Sequence, residues 1–139
     1  MKYFKRKVFK PEEARVLSDA IAKGFWKNPN KRLDNIRLLS VELSKVNNVS
    51  PPTVILVDSI PSSQYDLVAK CIILNTPSLV SFLHQFVFHK FNGYVPPAFF
   101  EDYARAYALG LFYTCAPQSF KKAAKEGKLI HVDPEDKDI

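Results

Sequence analysis

The sequence predicts an α+β fold, mostly helical, in which a small hairpin-like β-sheet packs on several helices. Three observations predict this fold class. Apolar residues recur every three to four positions within residues 11–46, which is the spacing of amphipathic helices. Aliphatic runs at 53–57 and 71–74 have the length and composition of strands. An apolar stretch at 78–91 exceeds strand length and therefore indicates a buried helix.

The composition is that of one globular domain covering residues 1–139. The hydrophobic share is 47% and the aromatic share 13%, which is enough for one core and untypical of disorder. No window approaches the roughly 18 apolar residues of a membrane-spanning helix. The basic start of the chain is not followed by the apolar region of a secretory signal. We therefore expect a cytoplasmic protein that does not enter a membrane.

Positive charge is concentrated in the N-terminal part. The net charge is +6, yet residues 1–47 hold twelve basic and five acidic residues, whereas residues 48–139 hold eight and nine. Such a surface suits nucleic-acid phosphates or an acidic protein partner, and a plain solvated surface is the alternative. The candidate nucleic-acid-binding residues are Lys5, Arg6, Lys7, Lys31, Arg32 and Arg37.

The basic part should form two helices, at about 11–26 and 31–46. Pro11 suits a first helical position, and the two glutamates after it complement the helix dipole. The basic start of the second helix opposes its dipole, so it could have a functional reason. A helix pair with a short turn is also loosely typical of helix–turn–helix DNA binding.

The strands at 53–57 and 71–74 should pair with each other, with turns at Pro61 and at Tyr65-Asp66. Cys71 and Cys115 lack the spacing of zinc ligands, which leaves two small buried hydrophobes or a disulfide as alternatives.

The rest of the chain should be helical up to an acidic tail. Thr76 can cap the apolar helix, and Asn92-Gly93 should end it. The later predicted elements are a buried helix at 98–114, a short basic helix at 118–126, a strand at 128–131 and an acidic tail at 132–139.

The apolar helix carries two histidines near the spacing of a zinc site. In an HExxH helix, two histidines four residues apart bind zinc and the glutamate between them acts as the base. Here His84 is followed by Gln85 and, at the fourth position, by Phe88. His89 comes one residue later and diverges from His84 by about 140° around a regular helix. A glutamine amide cannot serve as a general base.

The surrounding pattern nevertheless resembles the small HExxH metallopeptidases of the ImmA/IrrE type, which are zincins found with mobile elements and stress-response operons. In that family a strand ending in I-x-L-N precedes L-H-E-x-x-H, as Ile72–Asn75 precedes His84 here. A later helix of the pattern E-x-x-A-x-x-[FWY]-A-x-x-L-[FL] supplies a carboxylate ligand, and Glu101–Phe112 matches it with Pro117 following. The resemblance covers residues 54–117 and implies a zincin-like core at 53–117.

By position, the resemblance implies that His84 is the first metal ligand and Glu101 the third. Phe88 falls at the second ligand and Gln85 at the base, so two of the four groups are absent. His89 and Asp102 are the nearby groups that could complete a zinc site. A hydrogen-bonded core histidine and a first-turn helix acid are the ordinary alternatives for His84 and Glu101.

These observations give three hypotheses. The first is a catalytically inactive, metallopeptidase-like protein without a cofactor, which binds a protein partner through its basic N-terminal half. The second is a basic nucleic-acid-binding protein of a mobile element or regulatory operon. The third is an active metallohydrolase that binds zinc through His84, His89 and Glu101.

Overall fold

The computed structural model describes residues 8–92 and 97–129, and for residues 97–100 it describes the backbone alone. The α+β prediction is confirmed, because helices and a small mixed sheet share one hydrophobic core. The helices are α1 (Pro11–Ala22), α2 (Arg32–Val46), α3 (Leu79–Lys90), α4 (Pro97–Cys115) and α5 (Pro117–Lys125). The strands are β1 (Thr53–Leu56), β2 (Gln64–Asp66) and β3 (Cys71–Leu74).

The prediction that the two aliphatic strands form a hairpin is wrong. β1 and β3 do pair, but they are parallel, in the sheet order β1-β3-β2. Tyr65-Asp66, predicted as a turn, belongs to β2, which pairs antiparallel with β3. The chain therefore reverses twice between β1 and β3, so that these two strands point the same way. A strand of three residues with two exposed polar ends gives too short an alternation to identify from sequence.

The end of α1 is set by the local backbone conformation and not by where its apolar pattern stops. α1 ends at Ala22, four residues before its predicted end, because Gly24 adopts a φ of +90°. The amides of Gly24 and Phe25 then bond the carbonyls of Ile21 and Ala20, which is the Schellman arrangement. Phe25 still reaches the core from this turn.

Two predictions about the ends of the other elements also change. Ser78, rather than Thr76, caps α3, since its side chain accepts a hydrogen bond from the Ser81 amide. α3 ends at Lys90, and Asn92 of the predicted Asn92-Gly93 stop follows it at a φ of +54°, while Gly93 lies outside the described residues. Lys128 and Leu129 are not in a strand, and the remainder of that predicted strand and the acidic tail lie outside the described residues.

The core is centred on α3, which packs on α4 on one side and on the sheet on the other. Phe82, Leu83, Phe86 and Val87 are all fully buried. Cys71 is buried and Cys115 partly so, and both thiols are free. Within residues 8–92 and 97–129, no helix combines the length and the hydropathy that crossing a membrane would take.

Candidate functional site

The two residues that the resemblance marks as metal ligands lie in direct contact. His84 is 6% exposed on α3, and its Nε2 is 3.1 Å from Oε2 of Glu101 on α4. The Glu101 side chain is 66% exposed, so the pair spans the boundary between core and solvent. The packing of α3 against α4 creates this contact between residues seventeen positions apart.

His84 has polar contacts at both ring nitrogens. Its Nε2 donates to Oε2 of Glu101, because a carboxylate oxygen can only accept. The Gln85 side-chain nitrogen lies 3.3 Å from Nδ1 of His84. Burial lowers the pKa of His84, and the nearby charge of Arg105 adds to this, although Glu101 opposes both. The nitrogen that would bind a metal therefore carries a hydrogen.

Phe88, which the resemblance places at the second-ligand position, makes an aromatic contact. The Phe88 ring stacks on Tyr65 of β2, with ring centroids 6.2 Å apart and planes 18° from parallel. This contact attaches α3 to the edge strand of the sheet. Phe88 offers no donor atom to a metal.

His89 belongs to a different set of contacts. Its Nε2 donates to the Ser50 carbonyl at 2.6 Å, and its Nδ1 accepts from the Tyr65 hydroxyl at 2.8 Å. These two bonds tie the end of α3 to β2 and to the segment before β1. Burial lowers the pKa of His89, although the bond to Ser50 opposes this. His89 therefore acts as a structural link in the core.

The residues near His84 do not fit a zinc ion. A catalytic zinc takes three protein ligands and keeps one open position. His84 and Glu101 supply two groups, and Asp102, the residue after Glu101, is exposed. In the part of the chain that the structure describes, no three His, Cys, Asp or Glu residues are grouped closely enough to hold a metal.

The six basic residues predicted to bind nucleic acid divide into three groups. Lys5, Arg6 and Lys7 lie outside the described residues. Arg37 has a structural contact, because its Nε donates to the Val54 carbonyl at 3.0 Å and so joins α2 to β1. Lys31 and Arg32 stand at the start of α2, where Lys31 is exposed and Arg32 partly buried.

The structure contains a second polar cluster, which we call the Glu13 cluster and which the sequence does not predict. Glu13 is fully buried and receives hydrogen bonds from Lys90, Tyr107, Asn47 and the Lys10 amide. The Lys90 ammonium lies 3.1 and 3.2 Å from the two carboxylate oxygens, and the Tyr107 hydroxyl lies 2.5 Å from one of them. The cluster joins α1, α3 and α4 with the residue that follows α2.

The surroundings of Lys90 explain how two charges remain in the core. The ammonium also lies over the Tyr107 ring, 4.5 Å from its centroid. Burial alone would raise the pKa of Glu13, but the charge of Lys90 and the donated hydrogen bonds outweigh it and lower that pKa. Burial lowers the pKa of Lys90, and the charge and hydrogen bond of Glu13 oppose this. Each partner therefore favours the ionised form of the other.

The sequence does indicate that Glu13 could be buried and need a partner. Glu13 lies four residues before Leu17, in the apolar stripe of α1, and Lys90 ends an otherwise apolar helix. A charged residue on a buried stripe needs a partner of opposite charge. The helical pattern alone does not say which of the twenty basic residues provides it.

Comparison with known proteins does not assign the chain to a family. The chain matches no family model, no curated protein and no solved structure.

Proposed function

We propose that the chain is a metallopeptidase-like protein of the zincin type that lacks peptidase chemistry and acts by binding a partner. The observation that carries the proposal is the contact between His84 and Glu101. The resemblance assigns these two residues to the first and third ligand positions, and they meet across the α3–α4 interface. The second ligand and the base are replaced by Phe88 and Gln85, so two of the four groups that an HExxH peptidase needs are absent.

Restoring the missing groups tests this proposal. The double variant Gln85→Glu, Phe88→His recreates H-E-x-x-H in the proposed register. We expect it to bind stoichiometric zinc, measured by elemental analysis after dialysis, since three protein ligands would then converge on one position. The wild-type protein should bind none under the same conditions.

Matched controls separate a built site from nonspecific uptake. Gln85→Glu, Phe88→Ala keeps the base and omits the second ligand, so it should bind no zinc. Adding His84→Ala to the double variant should abolish binding. If the folded double variant takes up no more zinc than the alanine control, the register is wrong and the zincin proposal fails.

The basic N-terminal half is the proposed contact surface for the partner, and we favour a protein over a nucleic acid. One of the six candidate basic residues, Arg37, is used within the fold. Lys31 and Arg32 are the two described residues that remain. Titration with duplex DNA at increasing salt separates the two partner classes, because phosphate contacts weaken steeply with salt. Salt-sensitive binding that Lys31→Ala, Arg32→Ala removes would favour nucleic acid instead.

A further inference from the structure

We propose that the protein binds an acidic segment of a protein partner on a basic surface that the α1–α2 connection and α5 form together. The connection contributes Lys27 and Lys31, and α5 contributes Lys121, Lys122 and Lys125. We call these five residues the lysine surface. The inference rests on the partner-binding role proposed above, to which it adds the chemistry of the partner.

Aromatic contacts bring the two parts of the lysine surface to the same end of α4. The Trp26 ring, next to Lys27 in the chain, has its centroid 5.7 Å from that of Phe112. The Phe120 ring, next to Lys121, has its centroid 5.5 Å from the same Phe112 ring. Two distant segments of the chain therefore pack on one residue in the last turns of α4. The charge distribution along the sequence does not show this, because residues 48–139 hold eight basic and nine acidic residues.

The five lysines are accessible and have no counterion within the fold. Four of them are exposed, and Lys121 is partly buried. Among residues 8–92 and 97–129, no carboxylate forms an ion pair with any of the five. Like charges held at one end of a molecule repel one another and oppose folding slightly. A segment that carries several carboxylates would relieve this repulsion when it binds.

Acidic residues at the borders of the lysine surface favour a protein segment over a nucleic acid. They are Asp19 near the end of α1, Asp34 in the first turn of α2, and Glu126 just after α5. Asp34 lies 3.8 Å from Arg37, and Glu126 lies 2.9 Å from Lys128. A continuous phosphate backbone would be repelled at these borders. A protein segment can place carboxylates over the lysines and neutral or basic groups beside the acidic residues.

Fluorescence anisotropy of a short, dye-labelled polyglutamate peptide tests this inference with the full chain. We expect the wild-type protein to bind the peptide, and added salt to weaken binding because exposed charges are screened. The double variants Lys27→Gln, Lys31→Gln and Lys122→Gln, Lys125→Gln should each raise the dissociation constant by about tenfold, since each removes two contacts. Neither should lower the urea midpoint of unfolding, because no ion pair of the fold is lost.

The matched control removes the same amount of charge from another place. Lys45 and Lys70 are exposed, and their ammonium groups contact Glu42 and Asn92. The double variant Lys45→Gln, Lys70→Gln should change the dissociation constant by less than about twofold. If it weakens binding as much as the other two variants, net charge explains the binding and the inference is overturned.

The emission of Trp26, the one tryptophan of the chain, gives an independent measurement. Unlabelled peptide should shift this emission, because the ring lies beside the lysine surface. A wild-type protein that binds no peptide at low ionic strength would overturn the inference and leave the zinc test of the proposed function unaffected. A protein that instead binds duplex DNA, less tightly in both lysine variants, would overturn it in favour of a nucleic acid.

Discussion

The Glu13 cluster and the His84–Glu101 pair are both polar contacts between helices, but they differ in burial and in charge. Glu13 is 0% exposed and all its bonds stay inside the fold, from four parts of the chain. His84 is also buried, at 6% exposed, but its partner Glu101 is largely in solvent. The first arrangement is closed and ionised, whereas the second is open on one side and has a neutral histidine.

The two arrangements should therefore differ in how much they contribute to the stability of the fold. A buried ion pair contributes to a cooperative fold mainly because losing one partner leaves the other charge unpaired in the core. A pair with an exposed carboxylate has water as a substitute and contributes little. The Glu13 cluster is therefore expected to hold the helices together, and the His84 pair is free to change without loss of the fold.

The largest expected effect is that of Glu13→Gln. The substitution keeps the size of the side chain and removes its charge, so Lys90 loses its counterion in the core. We expect the free energy of unfolding to fall by about 3–5 kcal/mol, measured by urea denaturation. Glu12→Gln is the matched control on the exposed side of the same turn and should change stability by less than about 0.5 kcal/mol.

A companion variant tests the reason for this loss. Glu13→Leu, Lys90→Met removes both charges and keeps apolar volume, so it should be more stable than Glu13→Gln despite carrying more changes. If both variants were equally unstable, packing or the Tyr107 bond, rather than the unpaired ammonium, would explain the effect.

Acidification should affect the two regions in separate pH ranges. Burial keeps the pKa of His84 and His89 below 6.5, so the unfolded chain takes up protons first as the pH falls below that value, and stability declines. The pKa of Glu13 lies below 4.5, so its contribution is complete above pH 4.5 and is lost only at lower pH. Urea midpoints measured across this range should show two stages.

Variants assign the two stages. His84→Gln should flatten the decline between pH 6.5 and 4.5, and Glu13→Gln should flatten the decline below 4.5. An unchanged upper stage in His84→Gln would mean that another group, such as His89, accounts for all of it.

The smallest expected effect is that of Glu101→Gln. The glutamine can still accept the His84 hydrogen bond, and the lost charge is mostly solvated. We expect the free energy of unfolding to change by less than about 1 kcal/mol in urea denaturation. A loss as large as that of Glu13→Gln would contradict the contrast between the open pair and the closed cluster.

The sequence predicted α1 and α2 because their apolar residues follow the helical period, and α3 because its apolar run is too long for a strand. It also predicted β1 and β3, whose β-branched residues favour strands. It missed β2 because three residues carry almost no periodic signal. The hairpin-like pairing predicted for β1 and β3 was wrong because β2 was not predicted. With β2 in the connection the chain reverses twice, so β1 and β3 run parallel.

For the candidate site, the resemblance to HExxH metallopeptidases picked out His84 and Glu101. Residue type alone shows that Gln85 cannot act as a base and that Phe88 cannot bind a metal. The contact between His84 and Glu101, the bonding of His89 to Ser50 and Tyr65, and the Glu13 cluster were decided by the tertiary structure. Each joins residues far apart in the chain, and only the packing of the helices brings them within hydrogen-bonding distance.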